Sequence, residues 1–210
     1  MSRGIERSVV PPIVLSGMLK AAKSWNTLHG TWASQAPEYW FTVTVAQELQ
    51  RKLDDAKKWI RLEGAVKTTM RQSGSAGPGR PSTGLRRNGK CDIIVERLNE
   101  LPFAAIEIKT RVYAFTSTLE RDVIRLRDML KKQHKNSISV ACLAIYSDAS
   151  EERTLNGARS YLSMRFEKNL ERVVEICAGQ ALSVSEDHRL RKDSDSDDMW
   201  GVQCLALVRR

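Results

Sequence analysis

The chain is poor in the residues that build metal cages and disulfide frameworks. Its 210 residues include four cysteines and three histidines. Cys91, Cys142, Cys177 and Cys204 never stand at Cys-x-x-Cys spacing, and His29, His134 and His188 are scattered. That pattern argues against a zinc site. Three of the cysteines lie in apolar runs, so all four are expected as reduced, buried thiols of a cytoplasmic protein. Long hydrophobic runs are missing too, and none approaches the roughly 20 residues of a membrane-spanning helix. A Pro-Pro pair and early charges break the apolar patch near the N-terminus. No small-residue cleavage site follows it, so it does not read as a signal peptide. Internal repeats and coiled-coil heptads are absent.

Acids are scarce relative to bases. The 34 Lys and Arg outnumber the 25 Asp and Glu, for a net charge of +9. Such a balance favours a polyanionic partner, nucleic acid ahead of an anionic membrane. The length and the 41% hydrophobic content suit one globular domain with an appended arm.

Residues 1–36 read as an N-terminal arm or lead-in helix, with "SGMLKAAKSWNTL" as the helical part. Residues 37–59 read as a long amphipathic helix, because Phe41, Val45, Leu49, Leu53 and Ala56 recur at helical spacing after Pro37. "WIRLEGAVKTTM" reads as a strand. Residues 71–90, rich in Gly, Ser and Pro and free of acids, are a loop. Two strands follow at about 91–97 and 102–109, joined by "LNELP". A second helix starts at Ser117, with Ser117 or Thr118 as its cap and Lys131 and Lys132 in its last turn. "SISVACLAIYS" reads as a central strand buried on both faces. A further helix and a C-terminal hairpin with an acidic loop occupy 151–210. A helix crossover lets the fourth strand join a meander of the first three, which gives a mixed sheet flanked by helices.

The strand charges need explaining. Glu107 and Lys109 share one face of their strand, while Ile106 and Ile108 share the other. If the two strands pair, Asp92 lies beside Glu107. Two such carboxylates repel unless something positive sits between them. A hard divalent cation, Mg²⁺ or Mn²⁺, is the natural partner of oxygen ligands. A lysine two residues after a ligand acid can hold a water or stabilise developing negative charge. Together these residues make the chemistry of metal-assisted phosphodiester hydrolysis.

Asp92 followed by Glu107-Ile108-Lys109 in hairpin strands, after a helix and a strand, resembles the PD-(D/E)xK nuclease superfamily. The resemblance covers residues 37–147, about half the chain, in the order helix, three strands, helix, strand. It implies an α/β, restriction-endonuclease-like fold over 37–210, with Asp92, Glu107 and the Ile108 carbonyl on the metal and Lys109 beside them. The family's Pro-Asp pair is replaced here by Cys91-Asp92. No Gln-x-x-x-Tyr follows, which argues against the RecB-like exonuclease branch.

The family often adds an acid from the first helix. Glu38 and Glu48 are the candidates, with Glu63 as a third option. A helical wheel puts Glu38 near the centre of the apolar stripe and Glu48 to one side. Glu38 is therefore expected at the metal. Arg125 on the second helix is expected to support the site or grip a phosphate. Arg80, Arg86, Arg87 and Lys90 are expected along a nucleic-acid backbone. The five tryptophans read as core or interface anchors. The implied activity is Mg²⁺-dependent DNA cleavage in restriction, defence or mobile-element processing. RNA is left open, a homodimer is left open, and no membrane is expected. The alternative is a non-catalytic nucleic-acid-binding module or interaction protein with the same fold.

Overall fold

In the computed structural model, the described residues are 6–53, 58–74, 89–131, 137–154, 157–194 and 196–210. Helix α1, Val10–His29, begins with the proline pair in its first turn. First-turn amides have no intrahelical partner, so Pro11 and Pro12 start this helix and do not break it. Gly30, at φ 60°, caps its end by donating its amide to Asn26 O at 2.8 Å. The stretch expected as an arm or lead-in helix thus holds a twenty-residue helix whose Val10, Val14, Met18 and Ala21 belong to the main core.

Helix α2, Glu38–Lys52, buries Phe41, Val45 and Leu49 on the same core. It meets α1 at Gly17, where an added Cβ would stand 2.8 Å from Val45 Cα. The helix expected to continue to residue 59 stops at Leu53, and Lys58 opens strand β1, Lys58–Ala65. The strand expected over 59–70 ends at Ala65. Val66–Gln72 forms a short helix, α3, which turns Val66 and Met70 inward. Ser73 Oγ donates to Met70 O at 2.8 Å and closes it.

Strands β2, Lys90–Arg97, and β3, Pro102–Lys109, lie within one residue of the expected bounds. Helix α4, Ser117–Leu130, is capped by Thr116, whose hydroxyl accepts the Leu119 amide at 3.3 Å. The cap is therefore one residue earlier than expected, and Lys131 lies just past the last turn. Strand β4, Val140–Ala149, helix α5, Ala158–Cys177, and the hairpin β5, Leu182–Lys192, and β6, Met199–Arg209, complete the chain.

The six strands form one mixed sheet in the order β1-β2-β3-β4-β6-β5. β1, β2 and β3 are an antiparallel meander, β4 runs parallel to β3, and β6 inserts antiparallel between β4 and β5. Alternation splits the sheet's side chains between two cores. Ile93, Val95, Ile106, Ile108 and Tyr146 pack under α1 and α2. Ile94, Ala105, Leu143 and Ile145 pack under Val123, Leu126 and Met129 of α4 and Val173 of α5. All four cysteines are buried and free, as expected. Trp200 is buried and Trp25, Trp32 and Trp40 pack on the first core, whereas Trp59 is exposed. Among the described residues, no helix is long and apolar enough to cross a membrane.

A carboxylate cluster where two strands part

Paired residues link β2 to β3 from Glu96–Pro102 up to Ile93–Ile106, and there the ladder stops. Past that point the backbone groups of β3 that face β2 need other partners. Side chains supply them. The amide of Ile108 donates to Asp92 Oδ2 at 2.7 Å, and the Cys91 thiol donates to Ile106 O at 3.3 Å. Burial, then the charges of Glu107 and Asp92, pushes the Cys91 thiol well up, so it stays protonated and able to donate. The Cys91-Asp92 pair thus fills the gap between the parting strands.

Glu107 points toward α4, as strand alternation requires, and is only 2% exposed. Arg125 donates to its Oε1 in a short contact, and Lys109 Nζ lies 3.7 Å from its Oε2. Arg125 also holds Asp122 at 2.9 Å. Burial and the charge of Asp92 push Glu107 up to about 8, against the pull of Arg125 and Lys109. This carboxyl is therefore mostly protonated at neutral pH.

Lys109 is the hub. Its ammonium lies 3.2 Å from Glu38 Oε1, 3.7 Å from Glu107 and 3.9 Å from Asp122. Burial alone would lower its pKa, but the surrounding carboxylates, Glu107 and Glu38 foremost, outweigh burial and hold it above the ordinary lysine value. Lys109 is therefore a fixed cation. Glu38 reaches the cluster from the first turn of α2 and also accepts the Thr110 amide at 3.3 Å. It does so from the rim, half-exposed, and not from the centre of a buried face.

Glu48 is the buried acid of α2, contrary to the helical wheel. It lies away from the cluster and pairs with Arg51 at 2.8 Å and Lys52 at 2.9 Å. The Arg51 hydrogen bond leads in lowering its carboxyl to about 2, against burial. Glu63 sits in β1 at φ 48° and pairs with Lys90 at 2.6 Å. Lys90 is thus exposed with an acid partner. Arg80, Arg86 and Arg87 lie outside the described residues. Arg125 lies inside the cluster, buried against two acids. Asp122 is the member that sequence reasoning left without a role. Its i,i+3 spacing to Arg125 at the edge of the α4 stripe is the signal that marks it.

Glu38, Asp92, Glu107 and Asp122 exceed Lys109 and Arg125 by two formal negative charges. Among the described residues, no three His, Cys, Asp or Glu side chains gather as a ready-made metal cage. No protein-family model, curated protein or solved structure matches the chain.

Proposed function

We propose that this chain hydrolyses phosphodiester bonds in DNA with Mg²⁺ or Mn²⁺, as a restriction-endonuclease-like nuclease of the PD-(D/E)xK kind. The observation that carries this is the convergence of Asp92, Glu107 and Lys109 where β2 and β3 part, with Glu38 arriving from α2. The order α2, β1, β2, β3, α4, β4 supports it, with α3 as an added turn after β1.

The donor set fits a dication. Around Glu107, the acids Glu38, Asp92 and Asp122 outnumber Lys109 and Arg125 by one negative charge, and burial, then the charge of Asp92, pushes its carboxyl up to about 8. Mg²⁺ characteristically binds through one or two carboxylates, keeps several waters, and does without a dedicated all-protein cage. Asp92 and Glu107 would hold it, with the Ile108 carbonyl beside them and Glu38 at the rim. Bound there, the ion supplies positive charge to a phosphate oxygen and acidifies a coordinated water.

The protein's own groups do the rest. Asp92 is oriented by the Ile108 amide, which leaves its Oδ1 free of that bond. Lys109 is held as an ammonium, so it suits stabilising charge on the phosphate and positioning a water, and does not suit taking a proton. Arg125 and Asp122 fix Glu107 from behind. A second reading, a binding module without catalysis, is favoured by Arg125, whose guanidinium already sits on Glu107.

Cleavage of plasmid DNA with Mg²⁺, with Mn²⁺ and with chelator decides between them. The nuclease cuts with either ion, stops in chelator, and is lost in Asp92→Ala, Glu107→Ala and Lys109→Ala. Activity surviving all three substitutions ends the nuclease reading, and binding without cleavage under every ion establishes the module.

A further inference from the structure

We propose that a single-stranded segment of the substrate lies in the groove between residues 110–116 and α5, an inference that takes its place beside the carboxylate cluster from the nuclease reading. The loop leaves β3 directly after Lys109 and ends at Thr116, the cap of the helix that carries Asp122 and Arg125. Its start is pinned by Arg111, at φ 57°, whose Nε donates to Ser34 O. Tyr113 is thereby presented 48% exposed, and Phe115 beside it is half-buried.

Helix α5 forms the other wall. Tyr161, Arg165, Lys168 and Arg172 recur at spacings of four, three and four, so they share one face of α5. The Arg165 guanidinium stacks on the Tyr161 ring at 4.6 Å, donates to the Tyr161 hydroxyl and lies 3.5 Å from Val112 O, with no acid partner among the described residues. Lys168 is exposed and has no ion pair among the described residues. Arg172 lies 5.8 Å from the Phe115 ring, but Glu175 neutralises it at 2.5 Å. Glu171 also lines the groove. Phosphate contacts therefore fall to Lys168 and Arg165.

The groove encloses about 390 Å³. Tyr113 and Tyr161 also line a second cavity of about 520 Å³ whose wall carries Asp148, Glu152 and Asp198. The two tyrosines thus form a ridge with cations on one side and acids on the other. Phosphates are repelled from the acidic side, and bases can stack on the ridge. A duplex keeps its base faces stacked inside and its phosphates outside, so it has no flat surface to offer these rings. A single strand offers both, and aromatic rings beside cations are its usual track.

Fluorescence anisotropy in chelator, with labelled oligothymidylate and a blunt duplex of equal length, tests this without cleavage. The wild type binds the single strand about tenfold more tightly than the duplex. Tyr113→Ala and Phe115→Ala each weaken single-strand binding by roughly five- to tenfold, as loss of one stacked base does. Lys168→Ala lowers the slope of log affinity against log salt by about 0.7, the value for one single-strand phosphate. Thermal melting checks each fold. Tyr113 and Lys168 are exposed, so their variants carry the test if Phe115→Ala unfolds. Oligouridylate bound within a few-fold of oligothymidylate supports the same groove with the sugar unread, and a large difference between the two marks DNA or RNA as its occupant.

Equal affinity for strand and duplex, or three variants that bind like wild type, overturns the proposal. So does polyglutamate displacing the strand while the two aromatic variants bind normally, because the groove then receives an acidic protein segment. A chain that passes these binding tests but never cuts DNA keeps the groove and loses the nuclease. A chain that cuts but shows no strand preference keeps the nuclease and loses the groove.

Discussion

Asp92 accepts the amide of Ile108 at 2.7 Å, so a carboxylate completes the bonding that strand β2 leaves unfinished on β3. One acid therefore holds the parted strands together and faces the site. Its two jobs separate by substitution. Asp92→Asn keeps an oxygen for the amide and should fold near normally. Asp92→Ala leaves that amide without its acceptor and should cost about 1–3 kcal/mol. Both should abolish cleavage, and chemical denaturation alongside a plasmid assay reads the difference.

Glu107 should make metal-free stability fall with rising pH. Below about pH 4.5 its carboxyl is protonated in both the folded and the unfolded chain. Between there and about 8, the unfolded chain ionises while folded Glu107, held up by burial and Asp92, keeps its proton. The unfolded state binds fewer protons across that window, so stability drops and the loss is complete above 8. Glu107→Gln should therefore gain on the wild type as pH rises from 4.5 to 8, with no advantage at lower pH. Mg²⁺ should raise the melting temperature of the wild type in the same window and leave Glu107→Gln unmoved. Parallel pH profiles for the two proteins would rule out this origin.

Glu38 and Glu48 should behave as opposites. Glu38→Gln removes a contact to Lys109 at the rim, so turnover should fall at least about tenfold, the effect of roughly 1.4 kcal/mol of transition-state stabilisation. Its fold should change by no more than about 1 kcal/mol. Glu48→Gln breaks bonds to Arg51 and Lys52 far from the site and should cost about 1–2 kcal/mol with cleavage intact. Glu48's contribution is present above the ordinary carboxyl pKa and disappears as pH falls toward 2, because Arg51 leads in depressing its pKa. Melting curves and rates measured on the same preparations test both.

Gly17→Ala should destabilise the protein even though alanine is the better helix former. A methyl there meets Val45 Cα at 2.8 Å, and backbone cannot step aside as a side chain can. The cost should be about 1–3 kcal/mol after the gain in helix propensity. It should also slow cleavage, because α2 carries Glu38. A variant as stable as the wild type would show that α1 and α2 separate freely.

Much of this was legible in the sequence where chemistry and period coincide. The β2–β3 hairpin shows itself through apolar runs around a polar turn, and Glu107 and Lys109 share a face because strand alternation allows nothing else. What the sequence hides comes from packing. Val66-Lys-Thr-Thr-Met reads as a strand by its β-branched residues, yet Val66 and Met70 find the core by closing one helical turn. The wheel centred on Val45 and Leu49 treats α2 as having one covered side. Glu48 is buried because Ser16 and Lys20 of α1 cover a second side. Tyr113 lies far along the chain from the α5 residues Arg165 and Lys168, and no local pattern joins it to them.

The place of β6 in the sheet has a consequence for synthesis. It follows β5 in the chain, yet it lies between β4 and β5 and meets α1, which precedes every strand of this sheet. Until Arg209 has left the ribosome, β4 shows a bare apolar edge and α1 lacks part of its seat. Such unpaired edges invite association between nascent chains. The growing polypeptide thus remains exposed to misassembly until β6 closes its sheet, and a holding chaperone would have its greatest effect in that interval.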